Sequence, residues 1–355
     1  MQRRFAFLDG LRGWAAIVVV IVHIFFDVLP PMNIASLNLH LWWPFSGKFA
    51  VAIFFIVSGF ALSIAYIQSG DRSILTRIGA GRYFRLVIPI FATCALMSSL
   101  LNLDLIMPAD ARPSRFALTF GFDPTIHHLL KFALFDVFFL YSPNDTYAGP
   151  LWSMSFELIG SFTVLALLLI AGRPRDRWVI YAATVAFLLA AESLYVLFVI
   201  GIVCADLYDL YGYRRSNWWL ILFGIGLYAP LLIPHNQPVF FLSVAASFVG
   251  LSASPSADAF LSSKISQTLG DISFPVYLLH APMIFAVGLP IYVSAGDANG
   301  AMLVAGIAAL IASIVLSIAF VPINNMSVLA SRYIGQQALL LQDFVKRQNQ
   351  GPVAK

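Results

Sequence analysis

The run from Phe5 to Val28, FAFLDGLRGWAAIVVVIVHIFFDV, is long and apolar and yet carries charge. Crossing the hydrocarbon of a bilayer takes roughly 20 apolar residues, and this stretch suffices. Asp9, Arg12 and His23 lie within it, where an unpaired ionisable group costs about 3 kcal/mol or more. Arg12 and His23 are eleven positions apart. At ~100° and 1.5 Å per residue, His23 returns to within about 20° of the face of Arg12, about 16 Å further along the axis. An arginine that snorkels and a histidine that merely joins two helices would account for each residue alone. Their common face favours a site.

Composition sets the class. Hydrophobic residues make up 60% of the 355 and charged residues 11%, with a mean hydropathy of +0.85. A soluble globular domain has about twice that charged share, so the expected fold is an all-α polytopic membrane bundle. A net charge of +4, spread over loops, argues against nucleic acid as a partner. Cys94 and Cys204 lie in separate apolar runs, which excludes a disulfide framework, and no metal-ligand spacing occurs. The basic start, Arg3 and Arg4, resembles that of a signal peptide. The apolar region behind it is too long and too charged for one, so a retained helix is expected.

Apolar runs fall near 6–28, 48–67, 84–106, 151–171, 178–192, 194–210, 217–233, 237–252, 271–293 and 301–321. Leu129 to Tyr141 has 13 residues and falls short of a span. Arg72, Arg77, Arg82 and Arg85 follow the second run, and Arg173, Arg175 and Arg177 precede the fifth. Cytoplasmic loops are enriched in such residues, so both loops are expected inside. The two runs between them already return the chain, and Leu129–Tyr141 then becomes a re-entrant or interfacial helix. The expectation is about ten transmembrane helices plus that short piece, with both termini cytoplasmic. Residues 1–322 form the transmembrane domain and 323–355 a cytoplasmic tail. Depth follows from this order. Arg12, Arg82 and Arg85 are expected toward the inner face, Ser58 and His280 near mid-depth, and His23 and Glu157 in the outer half.

Five stretches carry the chemistry. Ser58-Gly59 interrupts KFAVAIFFIVSGFAL, where small residues also serve close helix packing. Arg82 and Arg85, three apart, share a helix face; they are positive-inside anchors or a bidentate grip for phosphates. Glu157 stands alone in PLWSMSFELIGSF, and a lone carboxylate in such a helix points to function. His280 sits in GDISFPVYLLHAP, and the fifth stretch is the first helix itself. His40, His127 and His128 lie in outer loops; they could face an acceptor, although exposed histidines usually do nothing.

Together these stretches resemble the acyltransferase 3 family of integral membrane acyltransferases. Phe7–His23 is similar to the family's FDGLRG…H opening, with Arg12, ten residues, then His23. FFIVSGF at 54–60 resembles FFxxSGF, Arg82 to Arg85 with Pro89 resembles RxxR…P, LWSMSFE at 151–157 resembles LWSLSVE, and YLLH at 277–280 resembles the late YLLH. VPINNM at 321–326 stands where many members have Glu-Pro. The esterase-like domain appended to some members is not expected here.

The resemblance implies a multi-pass enzyme of the bacterial inner membrane. It would move an acyl group, acetyl being the one expected, from cytoplasmic acyl-coenzyme A to a hydroxyl of a carbohydrate such as a surface polysaccharide or lipid-linked sugar. Acyl-coenzyme A is the donor substrate, no cofactor or metal is expected to be tightly bound, and a homodimer is the assembly considered. Catalytic roles fall to His23, as general base or transient acyl carrier, and to Glu157, as the carboxylate that orients it. Arg12, Arg82 and Arg85 would bind the donor's phosphates, while Ser58, His280 and Asp9 would line the passage. A proton-coupled transporter, an acyltransferase with a non-sugar acceptor and an inactive assembly subunit are the alternatives. Hydrolysis of acyl-coenzyme A separates the first of these from an enzyme.

Overall fold

The computed structural model describes residues 5–29, 46–108, 111, 119–171, 174–212, 215–296 and 299–349, and every regular element among them is helical. Arg3, Arg4, His40, Arg173, Arg214 and Lys355 lie outside the described residues. The chain runs through α1 (Ala6–Val22), α2 (Gly47–Ser69), α3 (Arg72–Asn102), α4 (Ile126–Lys131), α5 (Val137–Phe139), α6 (Trp152–Ile170), α7 (Pro174–Ala190) and α8 (Val196–Tyr211). It continues through α9 (Trp219–Leu232), α10 (Gln237–Ala253), α11 (Pro255–Leu261), α12 (Lys264–Met283), α13 (Leu289–Ser294), α14 (Asn299–Ala319) and α15 (Val321–Asn349).

Each of the ten apolar runs is helical, but the helices are unequal. Six are long and apolar enough to cross a membrane, and a seventh is reached if α10 and α11, bent by 87°, are taken as one. α9, with 14 residues, spans only about 21 Å, short of a ~30 Å hydrocarbon core. The membrane-bundle class therefore stands on helix length and composition, and a count of ten crossings is finer than these helices carry.

Glycines set the packing. A Cβ on Gly59 of α2 would lie 2.1 Å from the Phe198 carbonyl of α8, and one on Gly201 of α8 would lie 2.3 Å from that of Ile56. α2 and α8 therefore meet backbone to backbone, as small residues allow. A Cβ on Gly13 of α1 would lie 2.6 Å from the Gly270 nitrogen of α12, and one on Gly270 would lie 2.5 Å from the Asp9 carbonyl. With Gly13 beside Gly270 and His23 bonded to His280, α1 and α12 run parallel. In its most apolar stretch α2 is 78% buried against 39% for the α14 span, so α2 is central and α14 peripheral.

Two segments place the site. The first lies between α3 and α6. Ser98 and Asn102, at the far end of α3, hold the Pro124 carbonyl, and Tyr83 donates to the Leu134 carbonyl at 2.7 Å. The short segment of α4, the π turn Phe132–Asp136 and α5 thus descends beside α3 from Asn102 to the level of Tyr83 before α6 begins. The second is α15, which stands where a tail was expected from Ile323 onward. It lies antiparallel along α3: Arg85 bonds Asn324 and Ser327, Gly81 abuts Ser331, and Gly335 abuts Arg77. The division drawn at 322/323 falls inside this helix. α15 is far less apolar than the spans, so hydropathy alone gave no sign of it.

Candidate active site

A cavity of about 290 Å³ lies between α1, α2, α3, α6, α12 and α15. Its wall includes Asp9 and Arg12 from α1, Ser58 from α2, Arg82 and Arg85 from α3, and Glu157 from α6. Asp271, Ser273 and Tyr277 of α12, Ser153 of α6 and Asn324 of α15 complete its polar lining. Three guanidinium groups thus face one space with three carboxyl groups.

The charges are held by specific bonds. Arg82 Nη2 donates to Glu157 Oε1, and its Nε donates to Ser161 Oγ at 2.7 Å. The Ser58 hydroxyl donates to the same Glu157 oxygen at 2.6 Å. Both side chains of the pair are about 15% exposed or less, so each ion has its counter-ion in place of water. Arg85 Nη1 donates to Asn324 Oδ1 at 2.8 Å and to Ser327 Oγ at 2.7 Å, and its guanidinium lies over the Phe274 ring. Arg12 lies 3.8 Å from Asp9, one turn back on α1. Tyr277 closes one end: its hydroxyl donates to the Pro150 carbonyl at 2.9 Å and is 2.7 Å from Ser153 Oγ. Its ring packs edge-on to Phe54.

His23 and His280 do not line this cavity; they meet behind Tyr277. His280 is one turn further along α12, and its ring packs edge-on to Tyr277 with centroids 6.0 Å apart. His280 Nε2 is 3.0 Å from His23 Nδ1, and the two rings stack at 5.0 Å. Past Val22 the chain widens into a π-helical turn, His23–Val28, and the Asp27 carboxylate comes within 3.6 Å of His23 Nε2.

Glu157 therefore does not orient His23. Its carboxylate belongs to Arg82 and Ser58, and the side chain bonded to His23 is that of His280. The depth reading fails at the same residue. The descent of the α4–α5 segment starts α6 below the far end of α3, and Arg82 stands ten residues, about 15 Å, inside the 31-residue α3. Glu157, Ser58 and Arg82 consequently share one level. His128, one of the outer-loop histidines, is held between the Tyr147 hydroxyl at 2.9 Å and Asp145 at 2.8 Å and stacks on Phe122. It fastens the connection before α6. Asp27 carried the signal of its run, an ionisable side chain in an apolar stretch four residues after His23, whereas Asp271 and Asn324 carried none beyond position, Asn324 falling at the Glu-Pro place.

The model of the Acyl_transf_3 family, an acyltransferase domain, matches residues 5–321. The chain is a member of the acyltransferase 3 family. No curated protein and no solved structure matches it. The family match takes in every helix that lines the cavity except α15, which begins where the match ends. Acyl transfer is the chemistry of this family, and membrane helices carry the charged cavity of this acyltransferase 3 member. Asn324 and Ser327 therefore add to its Arg85 a support from outside the matched residues.

Proposed function

We propose that this protein is a membrane O-acyltransferase that moves an acetyl group from cytoplasmic acetyl-coenzyme A to a hydroxyl of a carbohydrate in or beyond the bacterial inner membrane. One observation carries the reading: a cavity with three arginines ends at Tyr277, and a histidine pair stands directly behind that tyrosine. Planar guanidinium groups suit phosphate oxygens. Arg82 is engaged by Glu157, so Arg85 and Arg12 are the principal grip and Arg82 shapes the wall between them. At about 290 Å³ the cavity is at the small end for a ligand site. It fits part of a coenzyme A, with the thioester arm passing Phe54 and Tyr277 toward His23.

His23 takes the proton of the acceptor hydroxyl while that oxygen attacks the thioester carbonyl. The tetrahedral intermediate collapses with loss of the carbon–sulfur bond, and the proton passes to the departing thiolate. The products are an ester and free coenzyme A. The relative directions of two helix pairs support a ten-span order. α1 and α12, its first and ninth spans, run parallel, and α3 and α6, its third and fourth, run antiparallel, Arg82 facing Ser161 and Gly79 facing Leu165.

Purified protein in liposomes should release free thiol from acetyl-coenzyme A. His23→Ala should lose about 10²–10⁴-fold in rate, the usual worth of a general base, while still inserting and folding. Retention of more than a tenth of the rate by that variant excludes His23 as the base. Absence of donor binding and hydrolysis by the unmodified protein returns the reading to a proton-coupled transporter.

A further inference from the structure

We infer that His280 is a positioning residue that sets the tautomer of His23, and the inference deepens the assignment of His23 as base. The argument is one of donors and acceptors. His280 Nδ1 lies 3.2 Å from the Val276 carbonyl, one turn back on α12. A carbonyl only accepts, so Nδ1 carries the hydrogen. Neutral imidazole has one N–H, and His280 Nε2 is then an acceptor. That acceptor is 3.0 Å from His23 Nδ1, which must therefore donate. His23 in turn keeps a bare lone pair on Nε2.

The surroundings hold this order. His280 is fully buried, so no water replaces the carbonyl or the second imidazole. Asp27 is the carboxylate near His23 Nε2, and at 3.6 Å it is too far to fix a proton there as a hydrogen-bond acceptor. It is close enough to favour the imidazolium once Nε2 has taken a proton from an acceptor hydroxyl. A nucleophile or base is commonly held by a third group, and here a neutral imidazole, not a carboxylate, fills that place. In a serine protease triad, loss of the correct tautomer costs about 10⁴ in rate.

The test is nitrogen-15 NMR of the full-length protein, labelled at its six histidines and held in lipid nanodiscs. The His23 signals are assigned by their absence in His23→Gln. In the unmodified protein His23 should show a protonated Nδ1 and an unprotonated Nε2. His280→Phe keeps an aromatic ring but no acceptor and leaves the Val19 carbonyl, one turn back on α1, as the remaining acceptor beside the His23 ring; there His23 should pass to a mixture that contains the Nε2–H form, with kcat down by up to about 10²–10⁴-fold and donor KM little changed. His280→Gln offers an amide oxygen to His23 Nδ1–H; it should keep the tautomer and hold kcat within about tenfold of the unmodified protein. An Nε2–H form of His23 in the unmodified protein overturns the inference whether or not any variant folds. So does an unchanged tautomer in folded His280→Phe. If the tautomer behaves as stated while His23→Ala still transfers, the histidine pair stands and the base assignment falls.

Discussion

Replacing Glu157 by Gln keeps the shape of the side chain and removes its charge, and the structure assigns the consequence to Arg82. Glu157 Oε1 accepts from both Arg82 and Ser58 in a place where the two charged side chains are nearly buried. Removing one partner of a buried ion pair costs about 3–5 kcal/mol, because the other charge is left without compensation. The amide retains one acceptor, and Arg82 keeps its bond to Ser161, so the expected loss is nearer 2–3 kcal/mol. That is roughly a 30- to 150-fold shift in the folding equilibrium. Arg82→Gln should cost a similar amount, and the double variant should cost less than the sum by about 1–3 kcal/mol, the coupling of two groups in contact. Graded unfolding of the purified protein in mixed SDS micelles, followed by tryptophan fluorescence, measures all four corners of the cycle. Additivity to within about 0.5 kcal/mol would refute the pairing. A variant of unchanged stability with a lower transfer rate is what the Glu157–His23 arrangement expected from sequence requires.

Arg85→Lys should insert normally and weaken acetyl-coenzyme A binding by roughly 10- to 150-fold, since an ammonium lacks the planar fork and one charge-assisted bond is worth about 1.5–3 kcal/mol; calorimetric titration with the donor reads it, and unchanged affinity removes Arg85 from the grip. Gly59→Ala should destabilise the bundle by about 1–3 kcal/mol, because its Cβ would meet the Phe198 carbonyl, whereas Gly224→Ala in α9, with nothing within 4 Å, should be neutral or gain up to about 1 kcal/mol. Melting temperatures of the two variants side by side check this, and equal melting points refute the close contact. Cysteines placed at Asn144 and Arg175, after replacement of the buried Cys94 and Cys204, should label from opposite sides of sealed vesicles, Asn144 from outside. Labelling of both by an impermeant reagent contradicts the ten-span order.

Hydropathy and spacing are properties of one helix at a time, and what they determine here is local. They identify a helical membrane protein, the helical runs, the acyltransferase 3 motifs, and the residues too charged to be in lipid without a reason. They also place Leu129–Tyr141 among the segments too short to span, as the broken α4–α5 helix bears out. Which charge meets which depends on the height and rotation of helices far apart in sequence, and only packing decides that. Gly13 and Gly270 let α1 and α12 approach until His23 reaches His280, 257 residues away. The descent of the segment before α6 lowers Glu157 to Arg82, and α15, too polar to register as a span, brings Asn324 and Ser327 to Arg85. A buried charge must find a partner, and the sequence alone determined that Asp9, Arg12 and Glu157, set within apolar runs, would need one. The fold decided which, because a partner is chosen by distance across the bundle and not by position along the chain.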